Sequence, residues 1–74
     1  MPIVLAPAYK NLVITKLLVD EKIKRHLENL GITVNSEIEV LSSSGGSLIC
    51  RVRDGRLALD KQMATRIFVT VKED

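Results

Sequence analysis

Two periods of hydrophobic spacing alternate along this chain. Leu12-Val13-Ile14-Thr15-Lys16-Leu17-Leu18 is aliphatic and β-branched and predicts a strand. Its alternation is imperfect, as suits a strand buried on much of both faces. From Asp20 the period lengthens. Val19, Ile23, Leu27 and Leu30 fall at helical spacing with Lys24, Arg25 and Glu28 opposite, so an amphipathic helix capped by Asp20 is predicted. Glu21 and Arg25 stand in the favourable i,i+4 order on its polar side. Gly31 ends the helix, because a C′ residue in the left-handed conformation meets no penalty when it lacks a Cβ, and Ile32 can fold back on the last turn.

The period then shortens to two. Glu37-Ile38-Glu39-Val40 alternates cleanly, with Ile38 and Val40 directed to a core and the glutamates to water. Ser42-Ser43-Ser44-Gly45-Gly46 reads as a mobile loop. In Leu48-Ile49-Cys50-Arg51-Val52-Arg53, one face carries Leu48, Cys50 and Val52 and the other carries Ile49, Arg51 and Arg53. Asp54-Gly55 predicts a type I′ turn, whose positive φ values Asp and Gly tolerate best. The hairpin returns through Arg56-Leu57-Ala58-Leu59. Asp60 caps a short helix over 61–66, with Leu59 placed to staple onto Ala64. Ile67-Phe68-Val69-Thr70-Val71 is the last strand, stopped by the charged Lys72-Glu73-Asp74.

Five short strands, one helix after the first and one short helix before the last predict a mainly β domain over 1–74, a small, partly open SH3-like barrel. No internal repeat is present. A chain of 74 residues buries about 60% of its unfolded surface, so its stability margin is thin. One cysteine, Cys50, forms no internal disulfide and points to a reducing compartment. The stretch over 1–7 is apolar but short, holds two prolines and lacks a basic n-region. A cytoplasmic protein without membrane insertion is therefore expected.

Eleven Lys and Arg against nine Asp and Glu leave a formal charge of +2 with the signs interspersed. That balance does not call for a polyphosphate partner. Tyr9 and Phe68 are the only aromatic side chains, whereas single-stranded nucleic-acid platforms and proline-rich peptide grooves both need several exposed rings. Nucleic acid is not an expected partner.

The candidate chemistry is sparse. The glycines after Ser44 open a strand and carry no lysine, unlike a phosphate loop, which opens a helix. Cys50 and His26 are far apart and fall short of the three or four ligands of a zinc site, and Cys50 occupies an inward strand position suited to packing. His26 flanks the apolar stripe of its helix as a solvated side chain. No nucleophile, base and orienting group are brought together, so no catalytic residue, cofactor or metal ligand is assigned and enzymatic activity is not expected. Arg51, Arg53 and Arg56 are the densest cationic group and the candidate contact site for an acidic partner; the same charges also discourage a sheet edge from pairing.

The whole chain resembles the FeoA family of small cytosolic ferrous iron transport proteins. The likeness rests on Leu5-Ala6-Pro7, Leu27-x-x-Leu30-Gly31-Ile32, Glu37-Ile38-Glu39-Val40, Gly45-Gly46-Ser47-Leu48-Ile49, Arg56-Leu57-Ala58-Leu59-Asp60, Met63-Ala64 and Ile67-Phe68-Val69, in that order along nearly the full length. It is also similar to the C-terminal barrels of metal-dependent repressors. Many relatives have Pro-Gly where this chain has Val34-Asn35, and Pro where it has Ser47; Asn tolerates the left-handed conformation next best after Gly, so the first turn survives. The resemblance implies an SH3-like fold and a non-enzymatic accessory or regulatory protein that contacts the cytosolic portion of the FeoB permease, with self-association left open. The other reading it implies is a transition-metal-responsive module, or a small barrel in transcriptional control.

Overall fold

The computed structural model describes residues 1–73. A 3-10 turn at Ile3–Leu5 precedes β1 (Leu12–Leu17), α1 (Glu21–Asn29), β2 (Glu37–Ser44), β3 (Ser47–Val52), β4 (Gly55–Leu59), α2 (Lys61–Ala64) and β5 (Ile67–Val71). The strands form one antiparallel sheet in the order β4-β3-β2-β1-β5. The first and last strands in that order do not pair. The sheet curls into an SH3-like barrel that stays open between β4 and β5.

Alternation in the middle strands builds the core. Ile38 and Val40 from β2, Leu48, Cys50 and Val52 from β3, and Leu59 from β4 are buried with Leu12, Ile14, Ile67 and Val69. Ile3, from the stretch ahead of β1, is fully buried among them, which its proline-flanked setting does not announce. Burying an aliphatic side chain of this size contributes about 1.5–3 kcal/mol, so Ile3 makes the N-terminal segment part of the domain. Among the described residues no buried side-chain polar atom lacks a partner.

Both predicted caps form. The Asp20 carboxylate accepts from Ile23 N–H at 2.9 Å, and that of Asp60 accepts from Met63 N–H at 2.8 Å. α1 ends in a complete Schellman motif: Gly31 takes φ +95°, its N–H donates to Glu28 O at 3.0 Å, and Ile32 N–H donates to Leu27 O at 2.9 Å. Asn35 takes φ +76°, the left-handed turn expected of it. α2 stops at Ala64, short of the expected Arg66, because Thr65 turns its hydroxyl back to Gln62 O at 2.7 Å and Arg66 N–H reaches Met63 O.

Four other expectations are corrected. The uneven pattern of β1 comes from a register shift between Ile14 and Lys16, a bulge that leaves Thr15 and Lys16 exposed, and not from burial on both faces. α1 is held by Leu27 alone among its fully buried residues, while Ile23 and Leu30 are 37% and 42% exposed. The serine stretch is not a mobile loop. Ser42, Ser43 and Ser44 continue β2 opposite Ile49, Leu48 and Ser47, after a register shift between Val40 and Ser42, and Gly45-Gly46 alone make the turn with φ of +60° and +89°.

The fourth correction concerns the β3–β4 hairpin. Val52 pairs with Gly55, so the turn is Arg53-Asp54, one residue earlier than Asp54-Gly55. Arg53 itself takes φ +55°, and Gly55 has no positive φ. Either turn would oppose the inward rows; the observed one sets Cys50 against Leu57 and Leu48 against Leu59 and carries Arg53 over the end of α1 beside Gly31, a tertiary placement that the local turn preference of Gly does not encode. Of the charged C-terminal residues, Lys72 donates its N–H to Asn11 O and Asp74 lies outside the described residues.

Candidate functional site

Strand register decides which arginines meet. Arg51 and Arg56 are direct cross-strand partners on the outer face of β3 and β4. Because Val52 and Gly55 flank a two-residue turn, they exchange both backbone bonds, and alternation makes Arg51–Arg56 a non-hydrogen-bonded pair, the type with the closest side chains. Two like charges therefore stand side by side. Arg53, predicted to share their face, sits in the turn, where its side chain lies over the end of α1: a Cβ built on Gly31 would meet Arg53 Nε at 3.2 Å.

All three arginines still border one shallow depression of about 360 Å³ with Asp54 and Gly55. Arg51 and Arg53 also border a second of about 260 Å³, lined by Asn11, Glu37, Ile38 and Glu39. Glu39 is the cross-strand partner of Arg51 on β2. The outer face thus grades from carboxylates on β2 to an arginine on the edge strand β4. The one ion pair among the described residues is elsewhere, between Lys72 Nζ and Glu37 Oε2 at 3.2 Å. Arg51, Arg53 and Arg56 are exposed and belong to no ion pair there.

Two grooves flank the edge strand. The larger, about 570 Å³, runs over Ser42, Ser44, Ser47, Ile49, Ala58 and Asp60. It exists because the serines are strand residues, and reading them as a loop hid it; the signal was two glycines between stretches able to pair, a hairpin sequence in its own right. The smaller, about 180 Å³, lies between α1 and β4 and is lined by His26, Leu30, Leu57, Ala58, Leu59 and Met63 among others.

Cys50 is fully buried, and burial pushes its thiol up to about 11. At neutral pH it is a protonated core side chain. His26 is exposed on α1. Among the described residues no three His, Cys, Asp or Glu side chains gather as a metal-binding group. No described helix is long and apolar enough to cross a membrane.

The fold and this surface define a small SH3-like barrel with a cationic sheet edge. The model of the FeoA domain matches residues 1–71, and the chain belongs to the FeoA domain family. The crystal structure of an iron uptake regulatory protein, FeoA, is 24% identical with a TM-score of 0.83, each chain covered over 93%. Iron(II) transport protein A of Clostridium thermocellum is 23% identical with a TM-score of 0.86, over 96% of this chain and 45% of that one. The barrel is also shared with a manganese-dependent transcriptional repressor, 16% identical with a TM-score of 0.82, over 99% of this chain and 41% of that one. These likenesses show the fold. No curated protein is matched by the chain. The family is thus shared with proteins named for iron uptake and iron(II) transport.

Proposed function

We propose that this chain is a non-enzymatic cytoplasmic accessory protein of ferrous iron transport, and that it regulates the FeoB permease by docking on its cytosolic portion through Arg51, Arg53 and Arg56. The observation that carries the reading is the exposed Arg51–Arg56 pair. Directly opposed like charges work against sheet stability, and of the two only Arg51 has a carboxylate directly across the sheet, Glu39, so Arg56 on the edge strand is left for an external anion. Family membership supplies the transport setting. Docking changes the permease only where affinity differs between its nucleotide states, since equal affinity shifts no equilibrium.

Titration of the labelled chain with the cytosolic portion of FeoB, apo and in each nucleotide state, tests this. Binding that differs between states and weakens in the Arg51→Gln/Arg56→Gln double variant is the expected result. Absence of association in every state, and with the full permease, overturns it.

The likeness to metal-dependent repressors favours a second reading, a transition-metal-responsive module in transcriptional control. Its check is anaerobic calorimetry with Fe(II), Mn(II) and Zn(II); a flat response to all three ends its sensing form.

A further inference from the structure

The two edges of the sheet are finished differently. At β5, the N-terminal segment pairs with the outer edge: Pro2 bridges Phe68, Val69 N–H donates to Met1 O at 2.8 Å, and the Met1 amino group donates to Val69 O at 3.0 Å. At β4 nothing equivalent occurs. The pairing that starts at Val52–Gly55 makes Cys50–Leu57 and Leu48–Leu59 the bonded pairs, so the N–H and C=O groups of Arg56 and Ala58 point away from β3. Among the described residues neither has a backbone or side-chain partner within the chain. Both residues are exposed.

The groove of about 180 Å³ lies along this same edge. One wall of it is the edge strand itself, through Leu57, Ala58 and Leu59. Its other wall is α1, through His26, Leu27 and Leu30. It falls below the ~300 Å³ of a drug-sized pocket and is suited to a single aliphatic side chain.

We propose that β4 is a strand-addition site that takes an extended acidic segment of a partner protein into the sheet between β4 and α1. Backbone bonds to Arg56 and Ala58 fix the segment, and the pleat then dictates its pattern. The residue bonded opposite Arg56 shares its face and is acidic, placed against an arginine whose nearest strand neighbour is a second arginine. Its neighbours in the segment point to the other face, where Leu30, Leu57 and Met63 receive an aliphatic side chain. A second copy of this chain is the poorer occupant. Symmetric β4–β4 pairing centred on Arg56 or Leu57 puts the two Arg56 side chains directly opposite or diagonally adjacent, within reach of mutual repulsion, and pairing centred on Ala58 would have to run past the end of β4 at Leu59 towards α2. The edge is thereby closed to itself and open to an acidic strand.

The inference deepens the docking reading, since it names how the arginine face engages a partner, and its test does without the permease. A capped, monomeric peptide of about six residues alternating valine and glutamate is titrated onto the 15N-labelled chain, beside a valine–lysine peptide as control. Expected are shifts centred on Arg56, Ala58 and Leu30, slowed amide exchange at Arg56 and Ala58, and binding about tenfold or more tighter than the control. Ala58→Pro removes one outward N–H without touching the β3 ladder, so it weakens the peptide at least severalfold with little change in circular dichroism. Arg56→Glu transfers the preference to the lysine peptide, a readout independent of whether the proline variant folds.

Equal affinity for the two peptides, full binding by folded Ala58→Pro, or shifts confined to the groove over Ser42 and Ile49 each overturn the proposal. A concentration-dependent dimer that Ala58→Pro abolishes overturns the choice of occupant. Peptide binding without FeoB binding sinks the docking reading alone, and FeoB binding that Ala58→Pro leaves intact sinks the strand addition alone.

Discussion

Arg56→Gln separates the cost of the arginine pair from its use. The substitution keeps length and most of the aliphatic stem but removes one of two charges that face each other across β3 and β4. Two unit charges about 6 Å apart in water repel by about 0.7 kcal/mol, and closely opposed cross-strand pairs fall in the same range of about 0.2–1 kcal/mol. At ionic strength near 0.01 M the Debye length is about 30 Å and little of this is screened; near 1 M it is about 3 Å and little survives. The variant is therefore more stable than the parent by about 0.5 kcal/mol at low salt, a rise of roughly 2–4 °C in Tm for a domain of this size. The gain fades towards zero near 1 M. Thermal and urea denaturation of both proteins across a salt series measures it. A variant no more stable at low salt, or a gain indifferent to salt, refutes the claim that the pair is a strained charge arrangement. The same variant weakens binding of the valine–glutamate peptide, so stability and recognition move in opposite directions.

Other outcomes follow from the fold. Gly31→Ala forces a Cβ to 3.0 Å from Val52 Cγ1 at φ +95°, whereas Gly45→Ala, at φ +60°, meets nothing within 4 Å; urea midpoints should show a loss of about 1 kcal/mol for Gly45→Ala and about 2–4 kcal/mol for Gly31→Ala. Asp20→Ala and Asp60→Ala each remove a cap, with a loss of about 1 kcal/mol by chemical denaturation. The Cys50 thiol lies at about 11 when folded against an ordinary value of 9.0, so the folded state holds that proton more tightly. Its contribution to stability is whole below pH 9 and declines as pH rises through 9 to 11, and unfolding free energies across that range lose this component in Cys50→Ala.

Much of the fold was legible because single residues carry it. Asp20, Gly31 and Asp60 fix helix ends through bonds their own side chains or missing Cβ make possible, and the strict alternation from Leu48 to Val52 places Cys50 in the core. What was misread depends on pairing between segments. Asp54-Gly55 is the better local turn, yet the β3–β4 register puts Arg53 at positive φ and parts it from Arg51 and Arg56. Helical spacing marked Ile23 and Leu30 as apolar, but how closely α1 approaches the sheet is a tertiary matter, and it leaves both partly in water. Ile3 shows the reverse, a core residue in a segment with no period to reveal it. The arginine site was visible as composition; its split into an opposed pair and a turn residue was not.

The unequal edges also bear on how large an assembly this barrel can join. Growth by strand stacking requires each added unit to offer a fresh edge to the next, which is how cross-β fibres lengthen. Here Met1 and Pro2 occupy the flank of β5, and Arg56 sits on that of β4. An added strand at β4 finds no complementary edge on another copy to continue the series. The barrel is a chain terminator: it can complete someone else's sheet, and the sheet ends with it.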